Sequence, residues 1–117
     1  MATRSPVVVL GNLQLSTSLA DSSYTVPANS TLTISSATLN NTTGTSRNVT
    51  ANVIPSGGSA TASNEIVSAL VVGIAGTTPT LLSSLVGQHI LAGGKLQMKA
   101  DAATAVTPLV SGYLTTQ

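Results

Sequence analysis

The chain has 117 residues, of which 6% are charged, 42% are hydrophobic and none is Cys, Trp or Phe. An average soluble protein carries roughly 25% charged residues. Without Cys there is no disulfide framework, thiolate zinc site or thiol nucleophile; with four cations, neutralising the several phosphates of a typical DNA site is out of reach; with three acids and one His, little is left for catalysis.

What replaces charge is hydroxyl. Thr (18) and Ser (16) supply 34 of the 117 residues, with seven Asn besides. A net charge of +1 does little to keep copies apart, and near-neutral proteins tend to associate. The composition is the reverse of a disordered chain, which is poor in apolar residues and rich in charge. It predicts one small domain that works packed against other protein, as an oligomer.

The N-terminal stretch, residues 1–22, is the least regular. Its apolar run Val7–Leu10 is shorter than the ~7–15 residues of a signal-peptide core and reads as part of a strand within Val7–Leu15. The segment is expected to be an arm that docks on a neighbour. Its apolar residues Val7, Val8, Val9, Leu10, Leu13 and Leu15 are candidate contacts. Residues 23–117 are expected to form the domain proper.

Strand patterns follow. In Thr31-Leu-Thr-Ile-Ser, Leu32 and Ile34 share one face and Thr31, Thr33 and Ser35 the other, with a phase change near Ser36-Ala37 that suggests a bulge. Val49, Ala51 and Val53 share a face of the next run. The polar turn Asn40–Ser46 between them predicts a hairpin of strands 31–39 and 47–54. Pro55–Asn64 is loop-like, and Ser56, Gly57, Gly58 and Ser59 at its tip are further candidate contacts. Glu65–Ile74 is read as a strand rather than a short helix capped by Asn64, because Val71, Val72 and Ile74 are β-branched. Gly76–Pro79 ends that run, and Thr80–Val86 is ambiguous. Gly93-Gly94 precedes a strand with Leu96, Met98 and Ala100 inward and Lys95, Gln97 and Lys99 outward. Ala100–Thr104 is a turn before Ala105–Tyr113, where Val106, Pro108 and Val110 alternate with Thr107, Leu109 and Ser111. Pro108 cannot donate to a ladder, so an edge or bulge is expected there.

About eight strands with short connections predict an all-β antiparallel sandwich with little or no helix. Its core comes from 31 Leu, Val and Ile residues. The longest apolar stretch, Ile66–Ala75, falls short of the ~20 residues that cross a bilayer as a helix.

No constellation for chemistry emerges. His89 stands between apolar residues as a half-exposed strand or turn position. A shared metal site on an oligomer axis is the remote alternative. Asp21 and Asp101 read as turn residues rather than partners of Glu65 in an acid–base pair. Ser56–Ser59 and Gly93–Lys95 lack the phosphate-loop pattern, and the basic residues are not clustered for nucleic acid. Tyr24 and Tyr113 fit rim positions of a sandwich; stacking on a sugar is the alternative. No catalytic, cofactor or metal residue is assigned.

Several motifs in order, Tyr24-Thr-Val-Pro27-Ala, Asn41-Thr-Thr-Gly-Thr, Val53-Ile-Pro-Ser-Gly-Gly-Ser59, Leu91-Ala-Gly-Gly-Lys-Leu96 and Val106–Tyr113, resemble those of small β-sandwich virion proteins of tailed bacteriophages. The likeness spans residues 24–113. It departs at Gly94-Lys95, where an acidic turn residue is common, and nothing before residue 24 takes part. The resemblance implies a jelly-roll-like virion structural protein, foremost a capsid decoration or cement protein. Its partners would be the major capsid protein and neighbouring copies, a trimer being favoured. It implies no nucleic-acid, membrane or small-molecule partner and no cofactor. A neck, tail or fibre-adaptor protein is the alternative, and a carbohydrate-binding module a further one.

Overall fold

Period-2 alternation along the chain becomes, in a computed structural model describing residues 3–76 and 79–116, two packed antiparallel sheets. Met1, Ala2, Gln117, and Thr77 and Thr78 of the expected Gly76–Pro79 turn, lie outside those residues. Nine strands are described: β1 (Thr3–Leu10), β2 (Ser23–Thr25), β3 (Ser30–Asn41), β4 (Arg47–Ile54), β5 (Glu65–Val72), β6 (Thr80–Leu81), β7 (His89–Ile90), β8 (Lys95–Ala100) and β9 (Val106–Thr116). Helical structure among the described residues is confined to single 3-10 turns at Leu19–Asp21 and Ala62–Asn64.

One sheet, sheet A, runs β1-β9-β3-β6, with β7 also on β3; the other, sheet B, runs β2-β8-β4-β5. The pairs β1–β9, β2–β8, β3–β6/β7 and β4–β5 are those of one long folded hairpin. Rolling that hairpin up adds β3–β9 and β4–β8. This is the jelly-roll topology, and the all-β sandwich expectation holds.

The hairpin of strands 31–39 and 47–54 is a correction. β3 pairs β9, β6 and β7 while β4 pairs β5 and β8, so the two lie in opposite sheets. The turn between them is braced by Asn41, which is buried. Its Oδ1 accepts from the Thr43 amide (2.9 Å) and hydroxyl (2.7 Å), and its Nδ2 donates to the Thr45 carbonyl (2.7 Å). Past this turn the chain crosses the sandwich rather than running back along β3, and Asn41 Nδ2 also reaches the Val72 carbonyl of the opposite sheet at 3.4 Å.

The N-terminal segment also differs from the expected arm. Thr3–Leu10 pairs with β9 of its own chain from Thr3↔Thr116 to Leu10↔Val110. Val9, Leu10 and Leu15 are buried in the core. The Leu15 amide donates to the Val106 carbonyl at 2.8 Å.

The inward residues are those the alternation picks out: Leu32, Ile34, Ala37 and Leu39 of β3, Leu96, Met98 and Ala100 of β8, and Val106 and Val110 of β9. Burial of each large aliphatic side chain stabilises by roughly 1.5–3 kcal/mol before chain entropy is set against it. Pro108 pairs with Leu39 beyond the point where β1 ends at Val110, so β9 is locally an edge there. The bulge of β3 lies between Ile34 and Ser36, just ahead of the expected phase change.

Sheet A is closed on its other side in an unusual way. β6 and β7 are two residues each, yet the backbone between them covers the β3 edge. Leu82 donates to the Ala37 carbonyl (3.0 Å), Gly87 to Ile34 (2.7 Å), and Ile34 donates to Gln88 (3.1 Å). An edge so covered does not offer itself to stray strands.

Candidate interaction surface

Residues paired across an antiparallel ladder share a face, so the registers define the outer surface of sheet A row by row. Arg4, Thr115 and Thr31 form the first row; Pro6, Tyr113, Thr33 and His89 the second; Val8, Ser111 and Ser36 the third. Leu109, Thr38 and Leu81 form the fourth, and Thr107 and Asn40 the fifth. The apolar members are well exposed: Val8 at 61%, Leu81 at 72% and Leu109 at 52%.

The hydroxyls at the centre of this face are hydrogen-bonded within it. Ser36 and Ser111 share a 2.8 Å hydrogen bond, Ser35 donates to the Ser111 carbonyl at 3.2 Å, and Thr33 meets His89 Nδ1 at 2.9 Å. A polar group already paired within the face costs less to remove from water than an orphan does. The bulge makes Ser35 a ridge between two shallow hollows of about 310 Å³ each. One is lined by Pro6, Val7, Val8 and Tyr113, the other by Thr38, Leu81, Ser83 and Val86.

Charge is segregated away from this face. Of the seven charged residues, only Arg4 lies on it. Arg47, Glu65, Lys95 and Lys99 are in strands of sheet B. Asp21 sits in the turn packed on β8, and Asp101 donates its amide to Asn48 of β4 at 3.0 Å. Arg4 itself stacks on Tyr113, its guanidinium carbon 4.4 Å from the ring centroid.

The expected contact residues are thus scattered. Val8 is exposed on sheet A, Val7 and Leu13 are half-buried, and Val9, Leu10 and Leu15 are core. Ser56, Gly57, Gly58 and Ser59 are exposed at the other end of the molecule. There Pro55–Gly58 is a tight turn, with Gly58 donating to Pro55 (2.9 Å) and Gly57 at φ 78. Ser56 packs so closely on Gly93 that a Cβ at Gly93 would lie 2.5 Å from its hydroxyl. The rest of that loop is held from below: buried Asn52 donates to the Thr61 carbonyl (3.1 Å) and Asn64 Oδ1 (2.7 Å). The sheet A face itself was missed at sequence level because membership of a face depends on register. The Thr/Ser alternation of β3 and β9 was its one visible sign.

His89 is exposed at the end of the second row, and no group of three or more His, Asp or Glu side chains converges among the described residues. Tyr24 is half-buried, and burial raises its phenol above the ordinary value. The Arg4 guanidinium covers one side of the Tyr113 ring, where a sugar would stack.

No family model matches the chain, and no curated protein does. A similar chain occurs in the structure of infectious bursal disease virus, Gx strain, with a TM-score of 0.46 and 16% identity over 98% of this chain and 32% of that one. This chain therefore spans about a third of the length of the one it matches.

Proposed function

We propose that this jelly roll is a structural protein of a bacteriophage virion, of the capsid decoration or cement kind, and performs no catalysis. The observation that carries the reading is the segregation of charge. A whole sheet face with a single charge, Arg4, no carboxylate, and its central hydroxyls Ser36 and Ser111 paired with each other suits burial against protein. The motif resemblance to phage virion proteins supports the same role.

The mechanism is thermodynamic. A protein that binds the assembled major capsid protein, and not its free subunits, shifts the equilibrium toward the shell by mass action. At a free concentration a hundred times Kd, each occupied site stabilises the shell by about 2.7 kcal/mol. Repetition over the shell multiplies the effect.

The test is to mix the purified chain with expanded, undecorated shells of its virus. Co-sedimentation with shells, together with a higher disruption temperature, is the expected result. Failure to bind shells, or equal binding to unassembled capsid protein, overturns the reading.

A further inference from the structure

We infer that the outer face of sheet A is a homotypic contact, and that the partner it takes is a second copy of this chain. The argument begins with electrostatics. Two copies of a surface bury against each other only where like charges do not meet. The rows from Arg4–Thr115–Thr31 to Thr107–Asn40 hold a single permanent charge, Arg4, at one corner. The outer face of sheet B, by contrast, carries Lys95 and Lys99 on β8 and, in the row of Gln97 and Asn52, Glu65, so burying it against a second copy would strip three charges of water or require each to be matched. Of the two faces, that of sheet A is the one a second copy covers at little electrostatic cost.

Shape agrees with this. The Ser35 ridge runs between two hollows of about 310 Å³ each. The exposed Val8 and Leu81 side chains wall these hollows, and Leu109 stands exposed in the row of Leu81, so apolar surface is available to a facing copy. No unpaired acid or lysine among the described rows has to be stripped of water in the process.

Area then sets the strength. Five rows about 6.8 Å apart on four strands about 4.8 Å apart make a patch on the order of 500 Å². A stable dimer buries about 800 Å² per partner. A single face-to-face contact is therefore weak, and self-association should depend on concentration unless copies close into a ring that uses further surface.

The inference extends the proposed role, but its test needs only this chain, so the two can fail separately. Sedimentation velocity is run on the wild type from dilute to concentrated solution, at low and high salt. Two variants place a carboxylate on the face, Leu109→Glu and Ser36→Glu. A third, Ser23→Glu, adds the same charge on the outer row of sheet B, and melting curves confirm that all are folded. The wild type is expected to form species of two or more copies, insensitive to salt. Both sheet A variants should weaken association at least tenfold, and Ser23→Glu should not. A wild type that stays a single copy throughout overturns the inference. So does a sheet A pair that associates as the wild type does, or a Ser23→Glu that weakens association as much.

Discussion

Gly112 faces Ile34 across the β3–β9 ladder, one step before the register slips at Ser35. The two strands approach so closely there that a Cβ on Gly112 would run into the Thr33 carbonyl and come within 3.0 Å of the Ile34 Cα. The glycine is what allows the bulge, and the bulge is what raises the Ser35 ridge. Gly112→Ala forces the strands apart and is expected to cost about 3 kcal/mol, the upper end for overpacking. That lowers the melting temperature by roughly 10 °C. Gly44→Ala, with nothing within 4 Å of the new Cβ, should leave it unchanged. Thermal denaturation of the pair checks both.

Thr104 holds φ 53 in the turn between β8 and β9, and Ala69 holds φ 49 at the bulge of β5. Left-handed backbone costs an L-residue about 1–2 kcal/mol, and a β-branched side chain is the least suited to it. Thr104→Asn and Ala69→Gly should each stabilise by about 0.5–1 kcal/mol. Equilibrium denaturation with an unchanged m-value would record this; a loss of stability in either variant would show that the turn is held otherwise.

Asn41 carries the chain from one sheet to the other. Asn41→Ala removes the donor to the Thr45 carbonyl and the acceptor for the Thr43 amide and hydroxyl. Thr45 is exposed and its carbonyl still accepts from the Thr43 hydroxyl, so a destabilisation of about 1–2 kcal/mol is expected, that of the lost hydrogen bonds. Denaturant titration measures it.

Tyr24 makes the fold sensitive to alkaline pH. Partial burial raises its phenol above the ordinary value of 10.0, so in the window just above that pH the folded chain holds a proton that the unfolded chain has released. Stability is therefore fully present below the unfolded value and falls as pH rises through the window. Tyr24→Phe should flatten this decline in melting temperature, and an unaltered alkaline profile would assign it to another group.

The sequence showed which way side chains face more clearly than which strands meet. Alternation placed Leu32, Ile34, Leu96, Met98, Val106 and Val110 inside, as observed, because a strand's own pattern records burial. It could not say that β3 pairs with β9 rather than β4, since a polar turn such as 42–46 looks alike whether it closes a hairpin or crosses a sandwich. β6 and β7 left no pattern, because they are held by backbone hydrogen bonds from Leu82–Gln88 to β3 and need no alternation of their own. Val9, Leu10 and Leu15 looked like spare apolar residues of an arm because their partners lie near the far end of the chain. The candidate surface was half legible: the hydroxyl stripes of β3 and β9 are local, whereas Val8, Leu81 and Leu109 join them only through register.

The decisive measurement is a reconstruction of the intact virus particle. Copies of this jelly roll are expected on the outside of the capsid, sheet A against protein and the Lys95–Lys99 face toward solvent. Particles whose every ordered density is explained without this chain, and whose purified protein content lacks it, would rule out the virion role.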